Sequence, residues 1–152
     1  MLLKRFAFGT TAALMTSMAL IIGLGSANTG KVSIIAGLLI IGIADNISDS
    51  LGIHLHEEAD LGVSQALSIA VSNYLTRLVA VCSFVALVAF LPLDVARWVS
   101  LAWGTVLLSV LTYFIAKARS AKPIAEILKH LVVAAAVIGI SHLIGLAINR
   151  MV

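Results

Sequence analysis

Five apolar runs divided by short polar turns occupy nearly all of this 152-residue chain. A hydrocarbon core of about 30 Å takes roughly 20 apolar residues per helix. Runs of that kind cover residues 6–25, 32–53, 95–116 and 127–148, and a fifth, 78–91, becomes long enough when extended back to residue 70. Hydrophobic residues make up 61% of the chain and charged residues only 11%, against about 25% charged in soluble domains. A water-soluble fold of this length cannot cover that much apolar surface. The reading is an all-α, polytopic membrane protein, a single membrane domain over 1–152 with five transmembrane helices and the lipid bilayer as its solvent.

The punctuation supports five spans. Residues 26–31 read as a tight polar turn, and Pro92 stops the third helix. Residues 117–123 form a basic linker whose Pro123 suits the first turn of a new helix. The one longer polar segment, 54–74, reads either as an amphipathic surface helix or as an inward extension of the spans beside it. Short loops make successive spans antiparallel. Lys4, Arg5, Arg77, Lys117, Arg119, Lys122 and Lys129 then flank one side, and Lys31, Arg97 and Arg150 the other. Seven against three places the N-terminus in the cytoplasm and the C-terminus outside, as expected for a multi-pass protein of the inner cell membrane. The first run exceeds the usual 7–15 or so apolar residues of a secretory leader and is read as a span.

Several function classes find no support. There is no Gly-rich phosphate loop, no zinc-type cysteine pattern and no nucleophile paired with a base, so an enzyme is not expected. The basic residues flank apolar runs instead of forming a nucleic-acid patch. Lone Cys82 lies in an apolar run and reads as a buried, inert thiol.

The chemistry is concentrated in the second span. At about 1.5 Å per residue, Asp45 lies roughly 20 Å along the helix from Val32, and Asp49 follows one turn later. An aspartate at the centre of a membrane helix costs about 2.5–3.5 kcal/mol, so two of them must face a protein-lined interior. Helical spacing puts Asp45, Ser48, Asp49, Gly52 and His56 on one face, and Ile40, Ile43, Ile47 and Leu51 on the other. Ala44, Ser48 and Gly52 add a small-residue series that permits close helix approach. Two carboxylates one turn apart, with Ser48 and Asn46 beside them, suit a hard or borderline divalent cation, and carboxylates in low dielectric can exchange protons against it. They equally suit neutral, hydrogen-bonded glue between helices. His54, His56, Glu57, Glu58 and Asp60 cluster where the span ends, either as a cation antechamber or as a solvated helix end. His56 can reach Asp60, and His54 can reach Glu57 or Glu58.

The other spans offer less. Ala12, Thr16, Ala19 and Gly23 form a packing face or a dimer seam on span one, where Met15 and Met18 read as filler. Thr105, Ser109 and Thr112 make a hydroxyl stripe expected to bond its own backbone. His142 either partners a span-two aspartate, as a proton relay, or donates to a carbonyl. Arg77 either snorkels as an anchor or balances the acidic cluster.

On these residues the chain resembles the vacuolar iron transporter family of ferrous and manganous cation exporters. Gly42-Ile43-Ala44-Asp45 looks like the start of that family's second helix, and Ser48 to Gly52 like the Ser- and Gly-rich stretch that follows. Lys122-Pro123 leading to Ile144-Gly145 resembles its last helix. The run Ile43-Ala44-Asp45, Ser48 to His54 and Glu57-Glu58 looks closest to a shorter prokaryotic subgroup. The resemblance implies five membrane helices, a homodimer, and proton-coupled export of divalent metal along the dimer interface, with no resident cofactor. With the polar face of the second span, this gives Asp45, Asn46, Ser48 and Asp49 as the expected cation pathway, and Asp45, Asp49, His56, Glu57 and Glu58 as the expected metal ligands. Three positions depart from the family pattern. Its first-helix aspartate falls near Ala12-Ala13, its second-helix methionine falls near Ile53, and its cytoplasmic metal-binding module shrinks to residues 54–74. Asp49 offers a second carboxylate in place of the missing acid. The competing expectation is a non-transporting membrane subunit that binds a partner helix through its polar face.

Overall fold

The computed structural model describes residues 2–151, with side chains from residue 9 onward; the basic flank read from Lys4 and Arg5 lies outside those side chains. Every described element is helical: α1 (Leu2–Ser26), α2 (Lys31–Ile40), a π-helical turn (Ile41–Asp45), α3 (Asn46–Leu61), α4 (Val63–Phe90), α5 (Leu93–Ala118) and α6 (Pro123–Met151). α2, the π-turn and α3 form one continuous span, so the described residues include five helices long and apolar enough to cross a membrane.

The polar segment 54–74 is not a separate surface helix. The second span runs on to Leu61 and α4 begins at Val63, and the two meet at Gly62. Gly62 has φ 79°, a left-handed conformation in which a side chain would be strained. The second span has 31 residues and so measures about 46 Å, well beyond a hydrocarbon core of about 30 Å. The excess carries His54 to Asp60. Elsewhere the punctuation falls as expected. Pro92 precedes α5, Pro123 opens α6, and the turn after Ser26 places Asn28 at φ 57°.

α1 is the central helix, packing against α6, α4 and α5. Half of its most apolar stretch is buried, against 11% of that of α6. Leu14, Met18 and Ile21 enter a core with Ile34, Leu38, Phe84, Val88 and Leu108. Met18 is therefore filler. It lies against Gly104, where a Cβ would collide with its sulfur. The small stripe on α1 packs within the chain: a Cβ on Gly23 would come 3.1 Å from the Ser141 carbonyl oxygen, and one on Gly145 would overlap the Gly23 carbonyl oxygen.

The surfaces left over are apolar, and Cys82, expected to be buried, is exposed because it lies on the outward face of α4. Ile40, Ile43, Ile47 and Leu51 are 48–65% exposed, as the helical spacing predicts, and Val79, Phe90, Val106, Leu128 and Leu143 carry similar faces on the other spans. Soluble monomers rarely expose contiguous apolar patches above a few hundred Å², so a bilayer is the environment that such walls fit. Two basic residues at the other end of the bundle cap helix carbonyls: Lys31 donates to Ala89 O (2.7 Å) and Arg97 to Gly25 O (2.7 Å).

The α1–α6 crossing predicts that Gly145→Ala, which must push two backbones apart, lowers unfolding free energy by about 1–3 kcal/mol. Gly139→Ala is the control, because a Cβ there meets open space and replaces glycine inside a helix. Thermal unfolding of the two variants in detergent compares them directly; equal stability would show that the crossing is not tight.

Candidate functional site

The second span widens just before its acidic residues. At the end of the π-turn the Asn46 N–H is shared between Ile41 O, five residues back, and Ile43 O, three back, and passes over Gly42 O, its usual acceptor. The Asn46 side chain supplies the replacement: Nδ2 donates to Gly42 O (3.3 Å) and to Tyr74 O on α4 (2.8 Å). A Cβ on Gly42 would come 2.9 Å from Val81, so this residue is small because α4 lies close. Asn46 is 1% exposed and ties helices together, and neither of its side-chain bonds goes to a carboxylate. Single π-turns inside α-helices recur at functional sites, and this one ends on Asp45.

Asp45 and Asp49 converge on Arg77 of α4. Arg77 Nη2 donates to Asp45 Oδ2 (3.3 Å), and Nη1 donates to Asp49 Oδ2. The arginine side chain is 4% exposed, while the two carboxylates are 55% and 50% exposed. Arg77 is thus no snorkelling anchor but the counter-charge of the acidic pair. Burying a guanidinium costs several kcal/mol unless it is paired, and the two carboxylates supply the pairing. From below, Asn73 Nδ2 donates to Ser50 Oγ (3.4 Å). α1 closes the cluster with Gly9, where a Cβ would overlap the Asn73 amide and come 3.0 Å from the Arg77 side chain. Asn46 Oδ1, Asn73 Oδ1 and Arg77 Nε are buried without partners.

The rest of the polar face points outward. Ser48 is exposed and donates to Ala44 O (3.2 Å). Ala44 and Gly52 are exposed too, with open space where a Gly52 Cβ would lie. Farther along, the expected antechamber divides. Glu57 turns inward and is 8% exposed, whereas His56 and Asp60 face out and form no ion pair with each other. His54 Nε2 lies 3.5 Å from Glu58 Oε2. Among the described residues no group of three or more His, Cys, Asp or Glu side chains is gathered to hold a metal ion.

His142 takes neither of its expected partners. Its Nδ1 lies 2.6 Å from Ser26 Oγ, near the end of α1. Since that hydroxyl donates to Ile22 O (2.7 Å), the ring Nδ1–H donates to it. Asp45 and Asp49 bond Arg77 instead.

Sequence reasoning missed the π-turn and underrated Arg77. A signal for the second was present: Asn73 and Arg77 are spaced i, i+4, as are Asn46 and Ser50, giving two polar stripes that can face one another. No family model, curated protein or solved structure matches the chain.

Because either carboxylate can keep Arg77 paired, Asp45→Asn and Asp49→Asn should each be mild in stability, and the double variant should lose more than their sum. Arg77→Met added to the double variant should recover part of that loss, with a coupling of about 0.5–3 kcal/mol. Unfolding of the full set in detergent gives the cycle; additive losses would mean that the arginine is not held by the pair.

Proposed function

We infer that this chain is a membrane transporter of divalent metal cations, of the ferrous and manganous class, working as a homodimer and exporting its cargo in exchange for protons. The observation that carries this reading is a pair of half-exposed carboxylates on the second span, Asp45 closing the π-turn and Asp49 following one turn later. Carboxylate oxygens on a widened, adaptable turn suit a hard or borderline cation, and ionisable groups within a span mark ion paths.

Arg77 gives the site its working logic. While no cation is bound, the guanidinium holds both carboxylates and offsets part of their charge. A divalent cation entering between Asp45 and Asp49 repels Arg77 and takes its place on the carboxylates. Asn73 Oδ1, one turn away and without a partner, can receive the guanidinium as it turns. Return of Arg77 then favours release. Ser48 lines the same face, and His56 and Glu58 lie on the extension through which a cation approaches.

The homodimer follows from what the single chain leaves uncovered. Half-exposed aspartates facing acyl chains are costly, and the Ala44, Ser48 and Gly52 series offers a smooth face for another helix. A second copy would cover the carboxylates and place the cation path between the two chains. The other reading, a subunit that uses this face for a different membrane protein, rests on the same exposed stripe and predicts a different neighbour.

Two experiments separate these readings. Asp45→Asn should abolish metal-driven proton flux in proteoliposomes while leaving the oligomer intact; undiminished flux would remove the transporter. With Cys82 replaced, Ser48→Cys should crosslink to itself between two copies in native membranes. A crosslink only to another protein, with no self-crosslink, would favour the subunit reading.

A further inference from the structure

A cavity of about 460 Å³ opens between α1, α5 and α6, at the end of the bundle where α5 turns into α6. It shares no residue with the Asp45–Asp49–Arg77 cluster. Ala12, Met15, Ile115 and Ala116 give it an apolar wall, and Thr11, Thr112, Arg119, Glu126 and His130 give it polar groups. We propose that this cavity binds the phosphate of an anionic phospholipid, with Arg119 as its charge partner.

Three observations carry the assignment. The first is an unsatisfied hydroxyl. Thr105 and Ser109 on α5 donate to the carbonyls of Leu101 and Thr105, both at 2.7 Å, as hydroxyls in membrane helices usually do. Thr112 continues that stripe, is 2% exposed and lines the cavity, yet its Oγ1 has no partner. The second is charge. Glu126 is engaged by Lys129, whose Nζ donates to Oε1 at 2.8 Å, while Arg119 makes no ion pair among the described residues. Lys117 and Lys122 flank it in sequence, so the mouth is net basic. His130 Nδ1 donates to Glu126 O (2.8 Å), which fixes the ring at the edge of the cavity. The third is placement. Basic pockets between membrane helices at the headgroup level hold anionic lipids. An apolar wall beside the basic rim matches the glycerol and first acyl carbons that follow a lipid phosphate. A soluble phosphate would leave that wall uncovered.

The test uses the purified full-length protein in detergent, with phosphatidylglycerol, phosphatidylcholine and glycerol phosphate as probes. Retained adducts are read by native mass spectrometry and stabilisation by thermal shift. Phosphatidylglycerol should be retained more strongly than phosphatidylcholine. Arg119→Gln, an exposed substitution, should reduce that retention about fivefold, the worth of one basic residue at a headgroup. Arg150→Gln, at the opposite end of α6, should leave it unchanged. Ala12→Leu, which fills the cavity without altering charge, should also reduce it. Equal losses from Arg119→Gln and Arg150→Gln would overturn the site in favour of diffuse surface attraction. Glycerol phosphate stabilising as strongly as the lipid would overturn the lipid assignment, and full retention in both Arg119→Gln and Ala12→Leu would remove the cavity altogether.

Discussion

A guanidinium withdrawn from water inside a membrane protein must find negative charge, and Arg77 finds it in Asp45 and Asp49. That requirement fixes how the second and third spans meet. The register of α3 on α4 has to bring the arginine level with two successive turns. Asn46 holds the register by bonding the Tyr74 carbonyl, and Gly42 lets the backbones close to within reach of Val81. The hairpin turn at Gly62 lies about four helical turns away from Arg77 and Asp49 and needs only to return the helix in the opposite direction. The polar contacts, more than the turn, align the pair.

α1 contributes to this arrangement by what it lacks. Three of its glycines lie where neighbouring groups crowd in: Gly9 beside Asn73 and Arg77, Gly23 beside Ser141, and Gly25 beside the Arg97 guanidinium, which donates to its carbonyl. A helix with side chains at those positions would stand off from α4, α5 and α6 alike. Without a hydrophobic driving force between helices in lipid, close van der Waals approach and a few hydrogen bonds do the packing. The first span therefore serves as a spine, and the charged chemistry is left to the second and third.

The five spans were legible because lipid imposes a length and a composition, and the sequence obeys both. The lipid stripe of Ile40, Ile43, Ile47 and Leu51 was legible because it repeats at helical spacing. Two features were not. A wheel drawn at a constant 100° per residue cannot contain a π-turn, and nothing in Ile41 to Asp45 forbids an ordinary α-turn. The clue, an asparagine four residues after a glycine, acquires meaning only when Asn46 is seen to replace the amide that Gly42 has lost. Arg77 was misjudged because a basic residue near a span end ordinarily reaches for headgroups. It sits deep because α4 starts fourteen residues earlier, at Val63, which moves position 77 from the end of a helix to its middle.

On the proposed reading, the resident arginine also answers a difficulty that bare carboxylates would create. A transport site must bind its cargo well enough to admit it and weakly enough to release it. Two aspartates facing a low-dielectric interior would hold a divalent cation tightly and give it little reason to leave. A tethered guanidinium at the same oxygens is a competitor of fixed, high local concentration, so it lowers the affinity without removing the ligands. Its tether also sets the alternatives: the side chain can pair with Asp45 and Asp49 or turn toward the unpartnered Asn73 oxygen, and the first arrangement regains two charged partners. Release of the cation is then an exchange between two counter-ions instead of the exposure of naked charge, which is the costly step in a medium that cannot solvate it.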